Sequence, residues 1–285
     1  MLLRRLFRLV PEMDQEAARR MMAEEPPDSF TLLDVRQPSE YEQAHLPGAR
    51  LIPLPELTDR LGEIPKDRPV LVYCAVGGRS ATAAQLLSGQ GFGKVHSLKG
   101  GIRAWLGAKP AGPKASGPVM LGMEFLRGDE SPKEAAVLAA AMEKSLGDFY
   151  RIMAHRADRP EAATTLRELA LVEDAHLGRL YQLHRSLDPS TPDQATFEAA
   201  LMVPIMEGGY RVAEFLAASR SRLGDAAGVI EAAMTIENQA LDLYLRYAQR
   251  LEATPTGQVF QDLAREEKFH LKRLGESREA LDRTA

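Results

Sequence analysis

Two groups of residues in this 285-residue chain have types and spacings that do chemistry. The first is Cys74, the only thiol, followed by Ala75-Val76-Gly77-Gly78-Arg79-Ser80. Val70–Tyr73 before it reads as a strand and a helix starts near Ser80, so the intervening loop gathers backbone N–H groups that favour an anion. Such a setting stabilises a thiolate. Gly77 and Gly78 permit the tight path, Arg79 adds fixed positive charge, and Ser80 can cap the helix. The plain alternative is a cysteine that serves as a small buried hydrophobe at a strand end.

The second group is a repeat. Glu143 is followed by Glu173 at +30 and His176 at +33, and Glu237 by Glu267 at +30 and His270 at +33, an offset of 94 residues between copies. Tyr150/Tyr244, Ala154/Ala248, Arg156/Arg250, Leu169/Leu263, Ala170/Ala264 and Leu180/Leu274 keep the same register. Each Glu-x-x-His puts two donors on one side of a helix. A single such pair is commonly solvated surface, but two copies at equal spacing from a glutamate complete a six-ligand set. A Glu from each of two helices and Glu-x-x-His from the other two is the donor set of a di-iron carboxylate site in a four-helix bundle. The expected cofactor is two iron ions; the same donors also suit zinc or manganese.

The elements that must position these groups divide the chain. Thr31–Val35, Leu51-Ile52, Val70–Tyr73 and Val95–Leu98 read as strands, and Glu16–Glu25 and Ser80–Gln90 as helices, an order that favours a parallel α/β sheet over residues 1–106. The Gly- and Pro-rich stretch 107–122 reads as a linker. Residues 123–285 read as all-α, entered through the capping sequence Ser131-Pro132-Lys133-Glu134. Between the two hairpins, Phe197–Ser221, with Met202, Met206 and Phe215, is expected to be a crossover helix interrupted at Met206-Glu207-Gly208-Gly209-Tyr210. Lys and Arg number 36 against 40 Asp and Glu, a net charge of -4 whose acid excess lies in the helical half, so nucleic acid is not an expected partner. One cysteine excludes an internal disulfide and any multi-thiolate metal site. No apolar run is long enough to span a membrane, and the basic start Met1–Val10 makes a poor signal peptide, so the expected location is cytoplasmic.

Asp34-Val35-Arg36-Gln37-Pro38-Ser39-Glu40-Tyr41, His45-Leu46-Pro47-Gly48-Ala49, Cys74-x-x-Gly77-x-Arg79-Ser80 and Lys99-Gly100-Gly101-Ile102-Arg103-Ala104-Trp105 together resemble a single-domain rhodanese. The resemblance implies a thiosulfate-type sulfurtransferase in which Cys74 carries sulfane sulfur as a persulfide, with Arg79 at the catalytic loop and the Ala75–Ser80 amides cradling the sulfur and its donor. The six residues from Cys74 to Arg79 match sulfurtransferases; related phosphatases and arsenate reductases carry one more. Asp34 and Arg36 are read as a structural ion pair and His45 as a packing and turn residue.

Residues 131–281 resemble the ferritin-like and rubrerythrin-like superfamily, which implies two irons reacting with oxygen or peroxide. Ala240 stands where many rubrerythrins carry an additional glutamate, and the rubredoxin cysteines are missing, so peroxidase or oxidase turnover needs an outside electron donor. The competing reading is a non-catalytic sulfur carrier or sensor joined to an iron-binding or storage bundle. Expected partners are a sulfane-sulfur donor, a thiol acceptor, and a second copy of the chain through the helical domain.

Overall fold

The computed structural model describes residues 10–107, 130–157, 159–201, 205–206, 210–211 and 225–283. The first part is a five-stranded, wholly parallel sheet built from β1 (Glu12–Met13), β2 (Thr31–Asp34), β3 (Arg50–Leu51), β4 (Val70–Tyr73) and β5 (Val95–Leu98), in the order β1-β5-β4-β2-β3. Helices α1 (Gln15–Glu24), α2 (Pro38–Gln43), α3 (Gly78–Gly89) and α4 (Gly101–Trp105) connect and cover it. The central strands are apolar on both faces, as a parallel sheet sandwiched between helices requires. Alternation along β4 sends Val70 and Val72, with Cys74 just beyond, into one core and Leu71 and Tyr73 into the other. Short elements were beyond the reach of periodicity: β1, α2 and α4 span too few residues to show one.

The second part holds two long helical hairpins. Helix α5 (Pro132–Arg156) begins at the expected capping box, where Ser131 and Glu134 exchange hydrogen bonds with each other's backbone N–H, and α6 (Pro160–Leu187) returns beside it. Helices α8 (Ala226–Arg250) and α9 (Pro255–Arg283) form the second hairpin. Between them, α7 (Gln194–Ala200) is followed by β6 (Ile205–Met206) paired antiparallel with β7 (Tyr210–Arg211), so strand pairing takes the place of helix at both ends of the expected interruption. Residues 202–204, 207–209 and 212–221 of the expected crossover helix, Met202 and Phe215 among them, lie outside the described residues, as do Met1–Leu9 and residues 108–122 of the expected linker.

The two parts pack directly. Helix α8 runs alongside α3 in the same direction: Glu231 meets Arg79 near the start of α3, and Arg246 donates to the Gln85 carbonyl at 3.1 Å near its end. Gly89 permits this approach, since a Cβ there would stand 2.7 Å from Asp242 Oδ1. Helix α9 adds Lys268–Asp59 at 2.7 Å and contacts from Glu279 and Asp282 to Ser39. One continuous apolar core consequently runs from β4 and α3 through the bundle. Among the described residues no helix is long and apolar enough to cross a membrane.

The turn that aligns α8 with α9 rests on Gly257, where a Cβ would lie 2.1 Å from the Leu251 carbonyl oxygen. Because that obstacle is backbone, Gly257→Ala is expected to cost about 1–3 kcal/mol in urea unfolding. An unchanged midpoint would show that the turn relaxes freely.

Candidate functional site

Cys74 directly follows β4 and is fully buried. Its sulfur accepts from the Gly77 N–H at 3.1 Å. Gly77 reaches that position in a left-handed conformation, φ 103°, which glycine adopts without strain. The loop is clamped from behind by α4: Ile102 N–H donates to the Cys74 carbonyl at 2.9 Å and Arg103 N–H to the Ala75 carbonyl at 3.1 Å. Gly101 makes the clamp possible, because a Cβ there would fall 2.3 Å from the Cys74 carbonyl oxygen. Ser80 Oγ donates to the Gly77 carbonyl and meets Ser97 Oγ at 2.9 Å, tying α3 to β5. Ala75, Gly77, Gly78, Arg79 and Ser80 are buried; Val76 alone in the loop is partly exposed.

Arg79, expected to add fixed positive charge to the loop, is itself ion-paired. Its guanidinium is 1% exposed and makes two hydrogen bonds to Glu40, at 2.7 and 2.8 Å, with Glu231 3.2 Å away. Burial by itself would raise the Glu40 carboxyl, but Arg79's hydrogen bonds and charge reverse this and hold it down to about 2. The Arg79 guanidinium is thus taken up by carboxylates, and the backbone N–H of Gly77 is the direct donor to sulfur among the described residues. Asp34 and Arg36 form the expected buried ion pair, at 2.6 Å, and His45 stacks on Tyr41 with ring centroids 3.9 Å apart.

In the bundle the six repeated residues converge, each no more than 2% exposed. Glu143 lies on α5, Glu173 and His176 on α6, Glu237 on α8, and Glu267 and His270 on α9. The imidazole rings stack with centroids 5.3 Å apart. Glu173 presents one oxygen to each Nδ1, 3.1 Å from His176 and 3.6 Å from His270, and Glu267 does the same at 3.3 and 3.0 Å. Glu143 faces only His176 and Glu237 only His270, each at 3.3 Å. Two carboxylates therefore lie between the imidazoles and two lie at the ends. The outer oxygens of the end carboxylates accept from tyrosines of the opposite hairpin, Tyr244 to Glu143 and Tyr150 to Glu237.

Burial, followed by the neighbouring carboxylates, pushes Glu173 and Glu267 well above the usual range. Burial would lower both imidazoles, but Glu143 beside His176 and Glu237 beside His270 raise them instead. Both oxygens of Glu173 and both of Glu267 lack a hydrogen-bond partner. Buried carboxylate oxygens seldom go unpaired, and a cation between the imidazoles would satisfy all four. Glu143, Glu173, His176 and Glu267 form one set able to hold a metal ion, and Glu173, Glu237 and His270 another.

One residue of the site was missed. Glu266 accepts two hydrogen bonds from Arg179, at 2.5 and 2.7 Å, and meets His176 Nε2 at 3.0 Å, steadying the ring from its far side. The corresponding position of the first copy is Val172, so the repeat that revealed the ligands concealed this partner.

Comparison with known proteins agrees with this division. Residues 14–108 match the rhodanese-like domain and residues 134–205 match rubrerythrin. A sulfurtransferase of Allochromatium vinosum is 40% identical over 97 residues, 34% of this chain and 89% of that protein. The uncharacterized protein YqhL of Bacillus subtilis is 47% identical over 76 residues, and the putative sulfur carrier protein YrkF of the same organism 38% identical over 98. These matches take in 27% and 34% of this chain and 60% and 52% of the two relatives. The chain belongs to the rhodanese-like family through its N-terminal part. It joins a rhodanese-like sulfurtransferase domain to a helical part whose first hairpin matches rubrerythrin, and the second hairpin, beyond the matched segment, supplies the other half of the buried Glu/His set.

The Glu40–Arg79 pair sets an acid limit on the loop. With its folded carboxyl near 2, Glu40 contributes stability that is present above the unfolded value near 4.5 and lost as pH falls toward 2. The acid unfolding profile of the wild type is expected to lose up to ~3 kcal/mol more across that window than Glu40→Gln. Parallel profiles would contradict the pairing.

Proposed function

We propose that the N-terminal domain transfers sulfane sulfur through Cys74. The Cys74 thiolate attacks the outer sulfur of thiosulfate, a new S–S bond forms, and sulfite leaves with the electron pair of the broken bond. A thiol or cyanide then takes the terminal sulfur and Cys74 departs as thiolate. The Gly77 N–H on the sulfur supports this reading, because it stabilises the anion present at the start and end of the cycle. Val76 marks the side from which a donor approaches, since the rest of the loop is covered. With no second cysteine in the chain, the acceptor is external.

In the bundle, two irons fit best. Glu143 and His176 would hold one, Glu237 and His270 the other, and Glu173 and Glu267 would bridge them. Glu173 and Glu267 carry this reading: each divides its two oxygens between the two imidazoles, and none of those oxygens makes a hydrogen bond of good geometry. Bound there, iron supplies electron transfer to oxygen or peroxide, with electrons from an outside donor. The chain's own residues hold the ligands apart, exclude water, and through Tyr150 and Tyr244 fix which oxygens of the end carboxylates face inward. A second reading, iron held without turnover, draws support from Ala240, a fully buried methyl group that supplies no further carboxylate.

Loading with thiosulfate is expected to add one sulfur per chain by mass spectrometry, and Cys74→Ser to reduce sulfur transfer to background. Transfer at the wild-type rate in that variant would refute the first assignment. For the metal, His176→Ala and His270→Ala should lower iron content by similar amounts, to roughly half or less of the wild type, because imidazole is the sole nitrogen donor on each side. Unchanged iron in both variants would refute the second.

A further inference from the structure

Arg79 sits in a ring of alternating charge that the two domains build jointly. Glu40 of α2 binds it bidentately from the sheet side. Glu231 of α8 places Oε1 3.2 Å from the same guanidinium, and Arg278 of α9 brings Nε to 3.4 Å from that oxygen. Arg278 pairs in turn with Asp282, whose other oxygen accepts from Ser39 Oγ at 2.7 Å. Ser39 precedes Glu40, so the ring closes through the backbone of α2. Arg79, Glu40 and Arg278 are all less than a tenth exposed, so these charges are little screened. Around the loop, Arg103 of α4 is exposed, and the Asp34–Arg36 pair at the end of β2 is closed on itself.

We infer that Glu231 and Arg278, both from the helical domain, are positioning residues for the sulfur chemistry: they hold Arg79 in place and set how much of its charge is felt at Cys74. The inference rests on the reading of Cys74 as the sulfur carrier. Glu40 and Arg79 alone form a neutral pair. Glu231 adds a negative charge and Arg278, itself paired with Asp282, a positive one, so removing one or the other tilts the field at the sulfur in opposite senses. A contact that served only to dock the domains would have no such sign.

The test is the pH midpoint of thiolate formation in the full-length protein, followed by thiolate ultraviolet absorbance against Cys74→Ser. Since Cys74 is the one thiol, the difference signal belongs to it. Glu231→Gln should lower the midpoint and Arg278→Gln raise it, each by about half a pH unit, as expected for one charge acting through partly buried protein. Glu231→Asp and Arg278→Lys, which keep the charge, should stay near the wild type and serve if a glutamine variant fails to fold. Midpoints that move together, that do not move, or that shift equally in the charge-conserving variants overturn the inference. Opposite shifts in a protein that transfers no sulfur from thiosulfate would uphold the charge ring and refute the sulfurtransferase reading alone.

Discussion

Four carboxylates and two imidazoles enclosed in the middle of a helical bundle are the constraint on which the C-terminal half depends. Taking such groups out of water costs several kcal/mol for each ionised member unless opposite charge comes with them. The chain supplies part of that charge through its imidazoles, and two tyrosine hydroxyls satisfy the end carboxylates. For Glu173 and Glu267 it supplies only the two imidazoles they share, with no hydrogen bond of good geometry to any of their four oxygens. Everything else about the bundle follows from keeping those two residues between the histidines: helices long enough to bury the cluster, alanine-rich faces that let them approach, and a tight second hairpin.

Helix α8 serves both halves of the molecule. One of its faces gives Glu237 to the buried Glu/His cluster, and another gives Glu231 to Arg79 and Arg246 to α3. Glu231 and Glu237 are six residues apart, about 9 Å along a helix at 1.5 Å per residue. The cysteine loop and the cluster are therefore joined by a rigid element as well as by the chain between the domains. The cysteine loop depends on this side as much as on its own sheet, because the guanidinium that anchors it is shared between Glu40 and Glu231.

Much of this was legible in the amino-acid order. The strands β2, β4 and β5 carried short apolar runs bounded by turn residues, and Val70–Tyr73 and Val95–Leu98 were located to the residue. The 94-residue offset picked out all six members of the buried cluster, since only a duplicated hairpin places Glu, Glu and His at equal intervals twice. Glu266 escaped because it breaks that symmetry. Glu231 and Arg278 escaped for a different reason: nothing local distinguishes them from solvated helical charges, and their partners lie far away in the chain. The same long-range pairing surrounds Arg79 with carboxylates that its place in the loop did not announce. The short antiparallel pair at Ile205–Met206 and Tyr210–Arg211 was hidden by apolar residues that also suit a helix.

The central claim is that Glu173 and Glu267, set between the two imidazoles, would be shared by two metal ions. The most direct measurement is anomalous diffraction at the iron absorption edge from crystals of the protein loaded with ferrous iron. The account predicts two peaks inside the bundle, one beside Glu143 and His176 and one beside Glu237 and His270, with Glu173 and Glu267 contacting both. A map with no peak there, and the same six side chains still buried and paired only with one another, would contradict it.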